Sequence, residues 1–187
     1  PVLANYPLPF DDITNVTSNK AWIDDQLFPY ILQAMNNRMM RGDVPLNLTA
    51  TSLMVNAYMY TGDEKYKNWV LEYVQAWMER TRQNNGIIPD NVGPTGKPGE
   101  NRDGVWWGSS CGWNSVYGWS HIFHAIAVAA ECALLLTGDM GYLDLLRSQV
   151  KMLLDHSITG EDGRLMVPCR AIPEGWDYSC EGDGTAT

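Results

Sequence analysis

The sequence predicts an all-α protein built from repeated antiparallel helical hairpins. The signature TGDxxY occurs twice, as "TGDEKY" and "TGDMGY", and the two copies lie 76 positions apart, from Thr61 to Thr137. Each copy separates an apolar segment from an amphipathic one, and a Gly-rich segment follows each pair. A unit that recurs at a fixed period is typical of stacked helical hairpins.

Residues 1–17 form a predicted extended arm, because three prolines fall within the first ten positions. A helix is then expected over 19–40, with Ser18 as its N-cap. Pro29 either kinks this helix or restarts it, because proline has no backbone N–H to donate. We therefore expect an arm followed by an interrupted helix.

Residues 46–60 and 64–82 predict the two helices of a first hairpin. The earlier segment is rich in apolar residues, and the later one carries apolar residues at spacings of three and four. Gly62 ends the first helix in the left-handed conformation, and Asp63 caps the second. The predicted stripe of the second helix consists of Tyr66, Trp69, Val70, Tyr73, Val74 and Trp77.

A second hairpin is predicted after residue 119. Residues 120–136 form a buried helix, and Gly138 and Asp139 repeat the two capping roles at the turn. The outer helix that follows has a stripe formed by Tyr142, Leu145, Leu146, Val150 and Leu153. The segment "TGEDGRLMVP" then parallels "RQNNGIIP" of the first unit.

The composition predicts a single domain over 1–187 and excludes some partners. The net charge is −9 and no Lys/Arg cluster occurs, so the sequence does not predict the basic surface that binds nucleic acids. No uninterrupted apolar run reaches about 18 residues, so no membrane partner is predicted. A neutral substrate, or one held by local contacts, fits this net charge better than a polyanion, which needs a broadly basic surface.

Neither a metal site nor a cofactor is predicted. The four cysteines form no CxxC pair, and the His121 and His124 pair lacks a carboxylate third ligand. Cys132 is expected in the core, whereas Cys169 and Cys180 are candidates for a disulfide that closes a loop. A disulfide requires an oxidising compartment, and a periplasmic or secreted location is favoured over a cytoplasmic one.

A long aromatic and Gly-rich loop over 86–119 separates the two hairpins. It is rich in Asn, Gly and Pro at its start and shows neither a helical nor a strand period. Half of the eight tryptophans of the chain lie between residues 101 and 121. These four are Trp106, Trp107, Trp113 and Trp119.

The repeat "YTGDEKYKNWVLEYVQAWMER" followed by "GIIPD" resembles those of the six-hairpin glycosidase-like superfamily, the (α/α) toroids. The resemblance covers most of residues 46–170. It implies a ring of helical hairpins in which the loops at one end build a carbohydrate cleft. Because this chain supplies fewer hairpins than such a ring contains, we expect the domain to be incomplete. The rest of a longer chain or an oligomer partner then completes the ring.

The resemblance implies an oligosaccharide or glycoside substrate and a glycoside hydrolase activity. Tryptophan faces pack against the C–H faces of sugars, and polar side chains bind the hydroxyl groups. The candidates for substrate binding are Trp106, Trp107, Trp113, Trp119, Arg102 and Asn114. Hydrolysis requires a pair of carboxyl groups. The catalytic candidates are Glu100, Asp103 and Asp90, with His121 and Tyr117 lining the cleft.

Two alternatives stay open at the level of sequence. A toroidal polysaccharide lyase needs groups that neutralise a uronate, remove a proton and protonate the leaving oxygen. Asn114, Tyr117 and His121, with Arg102 upstream, are candidates for these roles. A non-catalytic α/α-repeat module would use the same tryptophans to bind a glycan or a protein. In that case none of the carboxyl groups has a catalytic role.

Overall fold

A computed structural model describes residues 24–36, 42–108, 112–113 and 119–178 of the chain. This part of the protein is mostly helical, in agreement with the predicted helical character, and it also contains four short strands. The predicted arm over 1–17 and the N-cap Ser18 lie outside the described residues.

The first described helix, α1, spans Phe28–Met35. Pro29 lies in its first turn, where the missing N–H has no intrahelical partner to lose. The Asp24 carboxylate accepts hydrogen bonds from the N–H groups of Gln26 and Leu27, at 2.8 and 3.2 Å, just before the helix begins. Of the two roles predicted for Pro29, the structure therefore shows the start of a helix.

The predicted helix over 46–60 consists of a 3-10 helix, Pro45–Ala50, followed directly by α2, Thr51–Thr61. The hydroxyl groups of Thr49 and Thr51 donate to carbonyl groups three residues earlier, at 2.8 and 2.7 Å. Such bonds compete with the regular helical pattern. They fall at the position where the tighter helix gives way to α2.

The two TGD turns have the same hydrogen-bond geometry. Gly62 has φ of 68° and donates to the Tyr58 carbonyl at 2.7 Å, and Gly138 has φ of 74° and donates to the Leu134 carbonyl at 2.7 Å. The side chain of Asp63 then caps α3, Glu64–Gln83. These features confirm the capping roles that were predicted for both glycines.

Helix α3 buries one side of the predicted stripe and exposes the other. Val70, Val74 and Trp77 are fully buried. Trp69 is exposed and stacks on Tyr73 with a ring-centroid distance of 4.9 Å. The period of the stripe was therefore predicted correctly, but its width was overestimated.

Helix α4, Trp119–Thr137, lies at the centre of the described structure, where it contacts both 3-10 helices and α2, α3 and α5. Its buried side carries small and branched apolar residues, which allow close helix packing. These are Ile122, Ala125, Ile126, Ala129, Ala130 and Ala133. Full burial of an isoleucine such as Ile126 contributes about 1.5–3 kcal/mol.

By length and composition, α4 is apolar enough to cross a membrane, which the sequence did not predict. A helix in the core of a folded domain meets the same criteria, and α4 packs against most of the other helices. A third of its apolar window is buried within the described structure. Much of the apolar surface of α4 is therefore not covered by the described residues.

The second outer segment begins with a 3-10 helix, Met140–Leu143, and continues as α5, Asp144–Asp155. Leu145 and Leu153 are buried as predicted, whereas Val150 is exposed. The residue before Val150, Gln149, is buried instead, and its Nε2 donates to the Gly86 carbonyl at 2.8 Å. A polar side chain thus takes part in joining the second hairpin to the start of the aromatic loop.

Four short strands that the sequence did not predict accompany the helices. Strands β1, Ile158–Thr159, and β2, Leu165–Met166, form one antiparallel pair. Strands β3, Arg170–Ile172, and β4, Gly175–Asp177, form another. The second pair packs against the aromatic loop, because the Ala171 N–H donates to the Trp113 carbonyl at 3.1 Å.

Candidate functional site

The aromatic loop is anchored at its start by contacts from the second hairpin. The Ile88 N–H donates to the Gln149 side-chain oxygen at 2.9 Å, and both residues are buried. Four residues after Ile88, Val92 pairs with the backbone of Asp43, before the first 3-10 helix. These contacts fix the backbone on both sides of Asp90.

Asp90 is fully buried, and its Oδ2 accepts hydrogen bonds from the backbone N–H groups of Gly108, at 3.2 Å, and of Trp113. Gly112 lies against the same carboxylate, and a Cβ at this position would lie 2.1 Å from Oδ2. Asp90, predicted as a catalytic carboxyl, therefore joins the two ends of the aromatic loop.

Glu100, the second predicted carboxyl, also forms bonds within the loop. Its Oε2 accepts from the Thr95 N–H at 3.0 Å and from the Thr95 hydroxyl at 2.7 Å. Its side chain covers Gly93, where a Cβ would lie 2.4 Å from the same oxygen. Glu100 thus closes the turn that precedes the tryptophans, although the side chain is exposed to solvent.

Asp103 is the third predicted carboxyl, and it is exposed. Its φ of 51° lies in the left-handed region that non-glycine residues rarely adopt. The turn is held by the Gly99 carbonyl, which accepts from the N–H groups of Arg102, at 2.9 Å, and Gly104, at 3.0 Å. Asp103 therefore projects from a fixed turn just before Trp106.

Arg102, predicted to bind substrate, is buried beneath the loop. Its guanidinium lies 4.8 Å from the ring centroid of Trp107 and donates to the Trp107 carbonyl. Gly108 makes room for it, since a Cβ at that position would overlap the guanidinium. Arg102 therefore orients Trp107 through a cation–π contact and a hydrogen bond.

Trp113 is fully buried and belongs to the hydrophobic core. Its Nε1 donates to the Ile88 carbonyl at 2.7 Å. An indole with no accessible face cannot stack on a sugar, so Trp113 does not have the binding role predicted for it in this structure. Its ring instead supports Trp176 in an edge-to-face contact with a centroid distance of 5.4 Å.

Trp106 and Trp176 are half-buried and form what we call the aromatic surface, and Trp107, the residue after Trp106, is also half-buried. The rings of Trp106 and Trp176 lie 6.2 Å apart, although the residues belong to the aromatic loop and to β4. The ring centroid of His156, the C-cap residue of α5, lies 5.6 Å from that of Trp176. Trp176 was not among the predicted binding residues, because only the tertiary fold brings β4 to the loop.

The remaining candidates lie at the start of α4 or outside the described residues. Trp119 is half-buried and packs edge to face on Phe123, with a centroid distance of 5.2 Å. His121 is half-buried on the same first turn, and His124 is exposed. Asn114 and Tyr117 lie outside the described residues.

A polar cluster that the sequence did not predict lies beside the loop. The Asp43 carboxylate accepts hydrogen bonds from the Tyr73 hydroxyl at 2.7 Å, from Arg80 at 2.8 Å and from Asn47 at 3.0 Å. Burial and then the Asp43 charge raise the pKa of Tyr73 well above its usual range. This cluster attaches the chain before the first 3-10 helix to α3.

A shallow cleft of about 560 Å³ lies away from the aromatic surface. Gln75, Glu79 and Arg82 of α3 line one side, and Asp139, Tyr142 and Asp144 line the other. Glu79 is paired with Arg82, and the Tyr142 hydroxyl accepts from Gln75 at 3.0 Å. Because these side chains bond to one another, the cleft supplies no polar group that is evidently reserved for a ligand.

Two further findings concern cysteines and metals. Cys169 is disulfide-bonded and Cys132 is free, while Cys180, the predicted partner of Cys169, lies outside the described residues. Burial raises the pKa of the Cys132 thiol, which disfavours the nucleophilic thiolate.

Within the described part of the chain, no group of three or more His, Cys, Asp or Glu residues is arranged to hold a metal ion.

Comparison with known proteins identifies one family. A sequence model described as a domain of unknown function (DUF8034) matches residues 2–180. No curated protein and no solved structure matches the chain.

Proposed function

The chain belongs to the DUF8034 family, and we propose that this member is a carbohydrate-active enzyme that hydrolyses a glycosidic bond. In this proposal the helical hairpins form part of an (α/α) toroid, and the aromatic surface binds an oligosaccharide or a glycoside. A family of unknown function supplies no activity, so the proposal depends on the chemistry of the site.

The single observation that carries the proposal is the aromatic surface itself. Trp106 and Trp176 come from two separate segments, and both indoles are half-buried. Their inner edges pack against the core, so the rings are held in place. Rigid indole rings that are partly open to solvent suit the apolar faces of sugar rings, and binding costs them little side-chain entropy.

Asp103 is the best candidate for the acid or base of the reaction. It is exposed, it lies three positions before Trp106 in the chain, and no described residue forms a hydrogen bond or an ion pair with its carboxylate. Asp90 and Glu100 instead accept hydrogen bonds from the loop backbone. A glycosidase also needs a second carboxyl group, about 5–9.5 Å from the first, which the rest of a toroid would supply.

The test compares Asp103→Asn and Trp106→Ala with the wild-type chain on a panel of polysaccharides and chromogenic glycosides. We expect Asp103→Asn to lose at least about 100-fold in turnover with ligand binding retained, because the amide cannot transfer the proton. We expect Trp106→Ala to weaken binding by about 10-fold, measured by titration calorimetry. Trp69→Ala, an exposed tryptophan of α3, is the matched control and should bind normally.

The outcome separates hydrolysis from the alternatives. A product that absorbs in the ultraviolet as an unsaturated uronide would indicate a lyase and contradict hydrolysis. Failure of the wild-type chain to bind any glycan would exclude the aromatic surface as the site.

A non-catalytic glycan-binding module is the second candidate. The specific observation in its favour is that Asp90 and Glu100, two of the three predicted carboxyls, have structural bonds in the loop. Such a module would bind glycans through Trp106 and Trp176 and show no turnover. Asp103→Asn would then leave glycan affinity unchanged.

The disulfide of Cys169 supports an oxidising compartment as the working location. Disulfides persist in secreted and periplasmic proteins and are rare in the cytosol. Extracellular or periplasmic glycans are therefore the substrates to test first.

A further inference from the structure

The two TGD segments allow position-by-position comparison of α2 with α4, because residues 76 positions apart are equivalent. One side of the two helices differs sharply in exposure. Leu53 of α2 is 65% exposed, whereas its equivalent in α4, Ala129, is 0% exposed. One turn further along, the same trend holds, since Ala57 is half-buried where its equivalent Ala133 is fully buried.

The other side of the two helices shows the reverse difference. Val55 of α2 is 5% exposed, whereas its equivalent, Glu131, is exposed. Thr51 is fully buried where Ala127 is half-buried. The side that is covered in one helix is therefore open in the other.

Helix α2 contacts α3 and α4 contacts α5, so each is paired with the helix that follows its own TGD turn. Met59 and its equivalent Leu135 are similarly exposed, at 69% and 67%, so their side does not distinguish the two helices. The positions that differ are thus those that face the neighbouring hairpin. Because α2 and α4 contact each other, each covers one side of its neighbour and leaves the opposite side open.

We propose that these two open sides form a head-to-tail interface between copies of this chain. The open side of α2, with Leu53, Ala57 and Tyr60, would pack on the open side of α4 of a second copy, with Ala127, Glu131 and Leu134. The second copy is the occupant because the interface repeats the pairing of equivalent sides that α2 and α4 make within one chain. A head-to-tail interface of this kind generates a closed ring or an open filament.

Charge and composition favour a protein partner over a lipid surface. The open side of α4 carries Glu131 near its centre, and the net charge of −9 is repelled by anionic lipids. A carboxylate in the middle of a lipid-facing surface is costly, whereas a protein interface can hold it with a polar group or a bridging water. The proposal does not depend on glycan binding.

The test measures the molar mass of the 187-residue chain by light scattering up to about 0.1 mM. We expect concentration-dependent association that Leu53→Glu weakens by at least about 10-fold, because a charge would be buried at the contact. Met59→Glu is the matched control, since it changes an equally exposed apolar residue of α2 on a side that is open in both helices. Circular dichroism verifies that both variants are folded.

A gain-of-association variant tests the partner side. Glu131→Val introduces the residue found at the equivalent position of α2, and we expect it to strengthen association by about 10-fold. The proposal is overturned if the wild-type chain stays monomeric at about 0.1 mM, or if Leu53→Glu and Met59→Glu weaken association equally. Binding of monomers to phosphatidylcholine vesicles would identify a lipid surface as the occupant and also overturn it.

Discussion

Asp90 shows how tertiary contacts decide the role of a single carboxyl group. In the sequence it follows "GIIP" and is one of several acidic residues in a loop rich in glycine. In the structure it is fully buried and accepts backbone hydrogen bonds from two residues 18 and 23 positions downstream. A charged acceptor in this position stabilises loop amides that would otherwise be buried without partners.

We predict that Asp90→Ala lowers the free energy of unfolding by about 3 kcal/mol, because the N–H groups of Gly108 and Trp113 lose their acceptor. Urea denaturation followed by tryptophan fluorescence measures the change. Asp90→Asn, which keeps one acceptor oxygen, should lose less, and the exposed Asp103→Ala serves as the control. Equal denaturation midpoints for Asp90→Ala and Asp103→Ala would contradict a structural role for Asp90.

The raised pKa of Tyr73 makes the free energy of unfolding depend on pH. Burial and the Asp43 carboxylate raise its pKa in the folded state. An unfolded tyrosine loses its proton near pH 10, whereas folded Tyr73 keeps it, so above about pH 10 the unfolded state binds fewer protons. The contribution of Tyr73 is therefore fully present below about pH 10 and is lost as the pH rises from there towards the folded pKa.

We expect the free energy of unfolding to fall less steeply with rising pH in Tyr73→Phe than in the wild-type chain. Urea denaturation at several pH values between about 9 and 11.5 measures the slope. Tyr60→Phe is the control, because Tyr60 is almost fully exposed. If the free energy of unfolding of Tyr73→Phe fell with pH as steeply as that of the wild-type chain, the pKa of Tyr73 would not be raised in the folded state.

At the scale of elements, local signals predicted the two TGD turns and the helices around them. Gly62 and Gly138 adopt the left-handed conformation, and Asp63 and Asp139 accept from backbone N–H groups two residues later. These are interactions within a few residues of chain, so the sequence contains all the groups involved. The 3-10 helices and the four strands were missed, because hydroxyl back-bonding and short strand pairings leave no periodic signal.

We predict that Gly62→Ala and Gly138→Ala each destabilise the protein by about 1 kcal/mol, because a Cβ disfavours positive φ. Nothing lies within 4 Å of a Cβ built at either glycine, so the cost is conformational rather than steric. Thermal denaturation measures it. Asparagine tolerates this conformation, so Gly62→Asn should recover most of the loss. Equal stability of Gly62→Ala and wild type would contradict the capping role.

At the scale of the whole molecule, a covalent bond adds to the packed core. Cys169 lies directly before β3, and its N–H donates to the Asp177 carbonyl at 2.8 Å, so its disulfide attaches to the strand pair that supports the aromatic surface. We predict that a reductant lowers the free energy of unfolding by about 2–4 kcal/mol. Denaturation with and without dithiothreitol measures the difference.

The controls for this prediction are two cysteine variants. Cys169→Ser should show no sensitivity to the reductant, because its disulfide cannot form. Cys132→Ala should keep the full sensitivity, since Cys132 is free. Sensitivity that persists in Cys169→Ser would show that another bond is responsible.

The sequence by itself determined the helical character and the two TGD turns. Local hydrogen bonds and the helical period specify these features, and both can be read from neighbouring residues. Only the tertiary structure decided which aromatic rings are accessible. Trp113 is buried and Trp176 joins Trp106 because β3 and β4 pack across the loop. Burial depends on segments distant in the chain, and neither composition nor spacing specifies how they meet.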